Sequence, residues 1–427
     1  MNKRNISIVY ILLDGVGDLP SPELNCLTPL EAAYTPSLDA LARNGCMGHV
    51  TTVRRNIAPQ SDIAVFNMLG YDFRNQTYVG RGVIESIGCG IDFREGDLAM
   101  RGNFATLDEK MQIVDRRAGR NISNNEAKSI CDSLTKYIKF EDRNVSVVIE
   151  PTIGHRVVVR FRHNKLKLSE KVTNTDPAYD KVEGIGVAKS STYYNSIVKS
   201  EPEDHTIEAK ISARLINDFS EQTVNILKKH PVNQQRIKDK KKSISCILLR
   251  DSGNKFPNLP PIGDKYGINV ASIVDMPVEI GISRVLNMDV LESGKVDEYE
   301  KKANILSKNI ANYNLIYAHI KGPDEFGHDG DLRGKKRNIE EIDKNFFANL
   351  LDEMTESKVH VVVSADHSTP CIKKSHSADP VPLLISGSKV RKDGSARFTE
   401  KYGSKGSIGL VNGKDVIRIA MTAILEQ

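Results

Sequence analysis

Residues 6–18 of this 427-residue chain read ISIVYILLDGVGD, a nearly unbroken apolar run that stops at a carboxylate. Apolar residues without polar alternation are typical of a strand buried on both faces of a parallel sheet. The run is too short to cross a membrane, and no small-residue cleavage site follows it. The sequence therefore predicts a buried strand over Ile6–Leu13, with Asp14 just past its carboxyl end.

The last third of the chain repeats this pattern of continuous apolar runs. Further apolar runs lie at 315–321 (LIYAHIK), 359–365 (VHVVVSA) and 381–385 (VPLLI). Helical spacing alternates with these runs, over 35–44, 339–354 and 415–425. Alternating strands and helices predict an α/β fold with a mostly parallel sheet sandwiched by helices.

The middle of the chain differs, and a chain of this length favours two domains. Antiparallel-looking strands at 146–149 and 156–162 alternate there with amphipathic helices at 124–138 and 208–229. This pattern predicts an α+β domain. We expect a discontinuous core domain of residues 1–75 and 260–427, with an inserted domain of residues 76–259.

Composition narrows the possible partners and compartment. The net charge is only +5, from 60 basic and 55 acidic residues, which suits a small anionic substrate. The basic run at 238–242 lacks interleaved aromatic residues and favours a solvated loop over a nucleic-acid site. Six scattered cysteines without a C-x-x-C pair indicate free thiols, so we expect a cytoplasmic protein without membrane partners. The oligomeric state is left open.

Acidic and imidazole side chains cluster in the last third of the chain, in KGPDEFGHDG, VVVSADHSTP and KKSHSADPVP. With the carboxylate after the first strand, the set is Asp14, Asp324, His328, Asp366, His367 and His376. Asp14, Asp324 and the pair Asp366-His367 each fall just past the carboxyl end of a predicted strand, and these ends meet at one edge of a parallel sheet. Carboxylates and imidazoles suit Mn²⁺, Zn²⁺ or Co²⁺, and six such groups are enough for two ions. The pattern predicts a two-metal phosphoryl-transfer enzyme.

Each of these residues could alone be a helix cap or a satisfied loop residue, and only the set as a whole favours metal. Asp366 and His367 are adjacent, so they serve either one ion through a bent backbone or two neighbouring ions. Two other histidines, His319 and His360, lie inside apolar runs. There we expect packed, hydrogen-bonded imidazoles.

Ser61, in NIAPQSDIAVFNMLGYD, is the candidate nucleophile. A serine before an apolar helical run is also an ordinary N-cap, which is the alternative interpretation. A hydroxyl at a helix N-terminus is well placed to receive a phosphate, and a bound metal would lower its pKa. The metal cluster makes the nucleophile the favoured interpretation.

These segments together resemble the archaeal-type, cofactor-independent (2,3-bisphosphoglycerate-independent) phosphoglycerate mutases of the alkaline phosphatase superfamily. The matching stretches include LLDGVGD, TPLEAAYTPSLDALARNG, APQSD, YVGRGVIES, RGNFATL, VDRRAGR, KGPDEFGHDGD and ADHSTP. They run in family order over nearly the whole chain. Two stretches near the domain junction depart from the family pattern, namely ILLRDSG at 247–253 and SIVDMPVEIGISRVLNM at 272–288.

The resemblance implies an alkaline-phosphatase-like core and specific roles for the site residues. One ion would be held by Asp324, His328 and His376, and the other by Asp14, Ser61, Asp366 and His367. Ser61 would become phosphorylated. The implied substrate-binding residues of the inserted domain are Arg81, Asp115, Arg116, Arg117, Arg156 and Arg250. Mn²⁺ is the expected ion, with Co²⁺ or Zn²⁺ as alternatives, and no 2,3-bisphosphoglycerate is needed.

The expected reaction is the interconversion of 3-phosphoglycerate and 2-phosphoglycerate, an isomerisation of glycolysis and gluconeogenesis through a phosphoserine. A metal-dependent phosphatase or phosphodiesterase on the same core would share every ligand and is the first alternative. A mutase of another phosphorylated metabolite, such as a phosphopentose, is the second. A non-catalytic binding module is disfavoured, because buried charges are costly to keep together without a use.

Overall fold

The computed structural model describes residues 7–54, 59–73, 79–182, 185–188, 196–356 and 359–425. The chain forms two compact units. The first comprises Met1–Gln76, Leu259–Asp275 and Ile282–Gln427. The second comprises Thr77–Asn258 together with Met276–Gly281.

Strands and helices are numbered in chain order over the described residues. The strands are β1 Ser7–Leu13, β2 Gly45–Thr51, β3 Leu98–Leu107, β4 Ile113–Asp115, β5 Val145–Pro151, β6 Arg156–His163, β7 Tyr179–Val182, β8 Ile185–Ala188, β9 Cys246–Gly253, β10 Val270–Val274, β11 Asp289–Glu292, β12 Leu315–Ile320, β13 Val359–Ser364, β14 Val381–Gly387 and β15 Gly409–Asn412. The helices are α1 Pro29–Ala32, α2 Pro36–Arg43, α3 Ser61–Met68, α4 Arg81–Gly88, α5 Asn124–Tyr137, α6 Ile207–Leu227, α7 Pro231–Lys238, α8 Ile262–Tyr266, α9 Pro277–Val285, α10 Tyr299–Asn309, α11 Pro323–Asp329, α12 Leu332–Ile342, α13 Leu351–Thr355, α14 Glu400–Gly403 and α15 Val416–Leu425.

The first unit is built on an eight-stranded sheet, as far as the described residues show, in the order β11-β10-β12-β1-β13-β14-β2-β15. Only β14 runs antiparallel to the others. The centre is β1, which pairs in parallel with β12 on one side and β13 on the other. Nearly all residues of these three strands are buried, as their continuous apolar sequences predicted. The predicted mostly parallel α/β fold is confirmed.

The helical spacing over 339–354 does not form one regular α-helix. Helix α12 ends at Ile342, and a π-helical turn over Asp343–Phe347 and a 3-10 turn over Ala348–Leu350 precede α13. The Asp343 carboxylate accepts hydrogen bonds from the backbone N–H groups of Ser37, at 3.1 Å, and Leu38, at 2.8 Å. It therefore caps α2, whose own N-cap residue makes no side-chain capping bond. The periodicity of the sequence cannot show that Asp343 caps a helix so distant in the chain.

The second unit is an α+β layer. Strands β4, β3, β6 and β5 pair antiparallel in that order, and β9 pairs with β3. Helices α5 and α6 contribute Ile130, Leu134, Ile216 and Phe219 to its apolar core. Helix α6 is amphipathic, and none of the described helices is long and apolar enough to span a bilayer.

The second unit also takes in residues 276–281, which the sequence placed with the core domain. Two glycines explain this. A Cβ on Gly88 would collide with the Pro277 carbonyl, and one on Gly281 with the Ile84 carbonyl. Because both positions are glycine, the backbone of α4 packs directly on the start of α9.

Lys335, on α12, is the buried cation that joins two loops at the carboxyl edge of the large sheet. Its ammonium group donates to the Asp18 carboxylate at 2.9 Å, the Gly17 carbonyl at 3.1 Å and the Thr369 carbonyl at 2.9 Å. Asp18 also accepts from the Cys371 N–H at 3.2 Å. One side chain therefore ties the loop after β1 to the loop after β13.

We predict that Lys335→Met destabilises the protein by about 3–5 kcal/mol, because it leaves the buried Asp18 carboxylate without its cation. The neighbouring Lys336 is half-buried and, among the described residues, forms an ion pair with Glu340 at 2.6 Å. Lys336→Met is the matched control and should cost no more than about 1 kcal/mol. Urea unfolding followed by circular dichroism measures both, and equal losses would contradict the role given to Lys335.

Candidate functional site

One acid–imidazole group lies at the carboxyl edge of the central strands. Asp14 follows β1, and Asp366 and His367 follow β13. His367 Nε2 lies 3.6 Å from Asp14 Oδ1 and 3.2 Å from Asp366 Oδ2. All three side chains are buried, and their ligand-type atoms lie within 4.8 Å of one another.

The loop after β13 decides how two adjacent residues reach one group. Asp366 Oδ1 accepts hydrogen bonds from the backbone N–H groups of Gly15 and His367, both at 3.1 Å. These two bonds hold Oδ1 against the backbone, so the other carboxylate oxygen, Oδ2, faces His367 Nε2. Of the two arrangements that the sequence left open, the structure has the bent backbone with both side chains in one group.

A second group combines α11 with the loop before β14. Asp324 and His328 lie four residues apart on α11 and therefore on one helix face. Asp324 Oδ1 lies 3.6 Å from His328 Nε2 and 3.4 Å from His376 Nε2. The His367 and His376 rings stack with centroids 3.7 Å apart, so the two groups adjoin.

The three imidazoles share one orientation. His328 Nδ1 lies 3.1 Å from the Lys374 carbonyl, and His376 Nδ1 lies 2.7 Å from the Pro59 carbonyl. A carbonyl can only accept, so both rings carry a proton on Nδ1 and turn Nε2 toward the group. The hydrogen bond to Asp324 outweighs burial and raises the pKa of His376 to about 9, so without an ion this ring also carries a proton on Nε2. His367 likewise contacts an oxygen through Nδ1 and points Nε2 inward. Outer hydrogen bonds of this kind orient metal-binding histidines.

Ser61 is the first residue of α3, and its Oγ lies 3.1 Å from His367 Nε2. The N-cap position is occupied by Gln60, so Ser61 does not cap the helix. The capping alternative is therefore not what the structure contains. The hydroxyl instead adjoins the group formed by Asp14, Asp366 and His367.

Charge is strongly perturbed around these residues. Burial raises the pKa of Asp14 to about 7, despite the Lys321 ammonium 3.1 Å away. Burial also lowers the pKa of the His367 imidazole to about 3. For Asp366, the charges of His367, His319 and Lys321 outweigh burial and hold the pKa well below its usual range.

Two carboxylate oxygens test whether a cation fits the site. Asp14 Oδ1 and Asp366 Oδ2 are buried, and neither accepts a hydrogen bond from any residue that the structure describes. Buried carboxylate oxygens without a donor are costly unless a cation lies beside them. Together with the imidazole lone pairs, they form a donor set that fits a divalent ion.

Sequence reasoning missed two neighbours of Asp14 on β12. His319 Nε2 lies 3.9 Å from Asp14 Oδ1 and 3.5 Å from Asp366 Oδ2, and Lys321 directly follows the strand. Leu12 pairs with His319 in the β1–β12 register, a placement that only the folded sheet shows. The other strand histidine, His360, is buried, but neither of its ring nitrogens has a hydrogen-bond partner among the described residues, so the hydrogen-bonded imidazole predicted there is wrong.

The second unit contains a separate cluster of buried arginines. Arg81 Nε donates to Glu85 Oε1 at 2.7 Å, and Arg101 Nε lies 3.5 Å from the same oxygen. Arg101 pairs with Arg250 across β3 and β9, and β3 also pairs with β6, where Arg156 begins the strand. Burial and the neighbouring Arg81 lower the pKa of the Arg101 guanidinium to about 9.

Asp176 and Tyr179 hold two of these arginines. The Asp176 carboxylate receives Arg116 Nη2 at 2.6 Å and Arg250 Nη1 at 2.9 Å. The guanidinium carbons of Arg250 and Arg116 lie 4.2 Å and 5.3 Å from the centre of the Tyr179 ring. A β-bulge aims Arg250 here: the β3–β9 register shifts after it, where Asp251 adopts φ 58°. This bulge contains the Asp-Ser departure noted in the sequence.

The remaining predicted residues, Asp115 and Arg117, lie at the end of β4 and on the loop after it. Asp115 accepts from the backbone N–H of Arg117 at 2.7 Å and of Gly119 at 3.2 Å, and from Lys242 Nζ at 2.6 Å. Its carboxylate therefore shapes the loop that carries Arg116. Asp176 and Tyr179 were not selected from the sequence, because nothing local marks them as neighbours of the arginines.

A serine lies beside adjoining acid–imidazole groups at the carboxyl edge of a mostly parallel sheet, an arrangement suited to the class of phosphoryl-transfer enzymes. The profile of one family, described as 2,3-bisphosphoglycerate-independent phosphoglycerate mutase, matches residues 42–233. A protein of Aeropyrum pernix with this name is 39% identical, over 96% of this chain and 97% of its own length. One from Methanosphaera stadtmanae is 35% identical, over 96% of each chain. The chain belongs to the 2,3-bisphosphoglycerate-independent phosphoglycerate mutase family.

Solved structures agree with this assignment. A protein of Pyrococcus horikoshii has a TM-score of 0.77 and 29% identity, covering 99% of this chain and 98% of its own. The cofactor-independent phosphoglycerate mutase of Thermoplasma acidophilum has a TM-score of 0.62 and 28% identity, covering 98% of this chain and 99% of its own. The family resemblance seen in the sequence is confirmed.

We predict that Tyr179 ionises at lower pH than an ordinary tyrosine, whose pKa is about 10. The positive charge of Arg250, with those of Arg101 and Arg116, favours the phenolate and outweighs burial, so the pKa of Tyr179 is lowered. Difference absorbance during an alkaline titration should show this early step. Inorganic phosphate should move it to higher pH, because a bound anion offsets the arginine charge.

Two variants test whether the early step in the alkaline titration belongs to Tyr179. Tyr179→Phe should abolish it, whereas Tyr137→Phe, at an exposed tyrosine of α5, should leave it in place. An early step that survives in Tyr179→Phe would contradict the lowered pKa.

Proposed function

We propose that the chain interconverts 3-phosphoglycerate and 2-phosphoglycerate through a phosphoserine at Ser61, with two divalent ions bound at the acid–imidazole groups. Family membership makes it an isomerase of the phosphoglycerate mutase type. The observation that carries the proposal is the position of Ser61 Oγ, 3.1 Å from His367 Nε2 and beside two buried carboxylate oxygens, Asp14 Oδ1 and Asp366 Oδ2, that accept no hydrogen bond from the described residues. A hydroxyl in this setting can be activated as a nucleophile.

The proposed ligands follow the two groups. One ion would be held by Asp324, His328 and His376, and the other by Asp14, Asp366, His367 and the Ser61 oxygen. Bound ions would lower the pKa of the serine hydroxyl and offset charge on the phosphoryl oxygens. We propose Mn²⁺, with Co²⁺ or Zn²⁺ as alternatives. The imidazole and carboxylate mixture supports such borderline ions.

The protein itself would position the phosphoryl group. Ser61 stands at the start of α3, where first-turn N–H groups have no partner within the helix. These groups and the positive end of the helix dipole favour an anion. Lys321, 3.1 Å from Asp14, adds a buried positive charge on the sheet side.

The second unit would bind the glycerate portion. Arginine forks match carboxylate and phosphate oxygens in pairs, which lysines do not. We assign substrate binding to Arg81, Arg116, Arg156 and Arg250, with Asp115 and Arg117 on the same loop. Arg101 joins this set, because it shares Glu85 with Arg81. Firm retention of glycerate while it reorients would keep water from releasing the phosphate.

A metal-dependent phosphatase on the same core is the second candidate. It would use the same serine and ligands without needing a buried arginine cluster, which favours the mutase. A mutase of another small phosphorylated metabolite would use the arginines in the same way. We place the reaction in the cytoplasm, a reducing compartment, and the six free cysteines support this.

A product assay tests the proposal. Metal-free protein given 3-phosphoglycerate should be inactive, and Mn²⁺, Co²⁺ or Zn²⁺ should restore formation of 2-phosphoglycerate. Phosphorus NMR separates the two isomers from inorganic phosphate. Stoichiometric phosphate without 2-phosphoglycerate would favour the hydrolase, and activity unaffected by chelation would refute the metal requirement.

Ser61→Ala separates the nucleophile from a structural serine. We expect turnover to fall by about a thousandfold or more, with little change in unfolding midpoint, because Ser61 caps nothing. Ser123 provides the contrast, since its hydroxyl caps α5 by accepting from the Glu126 N–H. Ser123→Ala should lose about 1 kcal/mol of stability and keep turnover. The reverse pattern would remove Ser61 from the mechanism.

A further inference from the structure

Thr369 contacts both acid–imidazole groups with one hydroxyl. Its Oγ1 donates to Asp324 Oδ1 at 2.6 Å and lies 3.0 Å from His367 Nδ1. Asp324 and His367 belong to different groups. Among the described side chains, this hydroxyl is the hydrogen-bonding atom that joins a candidate ligand of one ion to a candidate ligand of the other.

The direction of these two bonds follows from donor capacity. A hydroxyl has one proton to donate, and the ionised Asp324 carboxylate can only accept. With its proton directed to Asp324, the Thr369 oxygen must accept from His367. His367 therefore carries its proton on Nδ1 and leaves the Nε2 lone pair toward Ser61, Asp14 and Asp366.

The tautomer of His367 depends on Thr369 because the Nδ1 atom of His367 faces a hydroxyl, whereas the other two imidazoles face backbone carbonyls. His328 and His376 place Nδ1 against backbone carbonyls, which fix the tautomer unaided. A threonine hydroxyl can donate or accept, so by itself it fixes nothing. Because the Thr369 hydroxyl donates to Asp324, its oxygen can only accept from His367, and this fixes the proton on His367 Nδ1.

The surroundings of Thr369 leave the hydroxyl little freedom. The side chain is fully buried. Its N–H donates to the Gly17 carbonyl at 3.0 Å, and its carbonyl accepts from Lys335 Nζ at 2.9 Å. Gly15, with φ +60°, passes so close that a Cβ there would lie 2.7 Å from Thr369 Oγ1. The loops after β1 and β13 thus enclose the hydroxyl.

We propose that Thr369 is a positioning residue that sets the tautomer of His367 and the orientation of Asp324 through one hydrogen-bonded relay. The relay runs from His367 Nδ1–H to Thr369 Oγ1 and from the Thr369 hydroxyl to Asp324 Oδ1. It rests on the proposed metal roles of His367 and Asp324. Thr369 belongs to neither ligand set, yet it orients one proposed ligand in each metal site.

The first measurement concerns metal-free protein with ¹⁵N-labelled histidine. The ring-nitrogen shifts of His367, assigned by comparison with His367→Asn, report which nitrogen carries the proton. We expect the Nδ1–H form in the wild type and in Thr369→Ser, which keeps the hydroxyl. An Nε2–H form in the wild type would overturn the relay without recourse to any variant.

The second measurement is zinc affinity by competition with a chromophoric chelator, with thermal unfolding as a check on folding. Thr369→Val keeps the shape but removes the hydroxyl, and we expect zinc to bind about 10- to 100-fold more weakly. Thr369→Ser should retain most of the affinity. Ser368→Ala is the matched control, because its buried hydroxyl donates only to the Asp379 carbonyl, at 3.1 Å.

The outcomes separate the two proposals. Wild-type zinc affinity in Thr369→Val, with an unchanged His367 tautomer, would overturn the relay while leaving the metal sites intact. If the wild type bound none of Mn²⁺, Co²⁺ and Zn²⁺, the proposed function would fall, and the tautomer measurement would still decide the relay.

Discussion

The parallel register of three central strands is the constraint on which the rest of the site depends. Leu13 pairs with Ile320, and Leu12 pairs with Ser364, so β1, β12 and β13 end side by side. The residues that follow those ends must then share one edge of the sheet. An antiparallel neighbour would have sent its next residue to the opposite edge.

Burial at that edge makes the polar interactions strongly interdependent. Carboxylates and imidazoles sit where water does not reach, so each uncompensated oxygen is costly. Lys335 and Thr369 each connect the loop after β13 to another loop or helix, the first through its ammonium group and the second through its hydroxyl. These two side chains hold ligand-bearing segments together without belonging to either ligand group.

Much of this arrangement could be predicted from the sequence, because its signals were local. The apolar runs that became β12 and β13 were each placed to within one residue, since buried parallel strands need no alternation.

Contacts that depend on a residue distant in the chain could not be predicted from the sequence. Asp343 interrupts a helix to cap another about 300 residues away, and no periodicity encodes that. The pairing of Asp176 with Arg116 and Arg250 was hidden for the same reason, as was the bulge that aims Arg250. The bend that brings Asp366 and His367 into one group depends on the Gly15 N–H, which only the folded sheet supplies.

The pairing of β1 with β12 and β13 also bears on how the protein is made. This strand is synthesised before its neighbours in the sheet, and both of them lie more than 300 positions later in the chain. Until they are synthesised, a hydrophobic segment with open hydrogen-bonding edges has nothing to pair with. The second unit is complete much earlier and can fold during translation, whereas the large sheet must close near the end. Strand β1 therefore stays without its partners while most of the chain is synthesised, and chaperone protection would matter during that time.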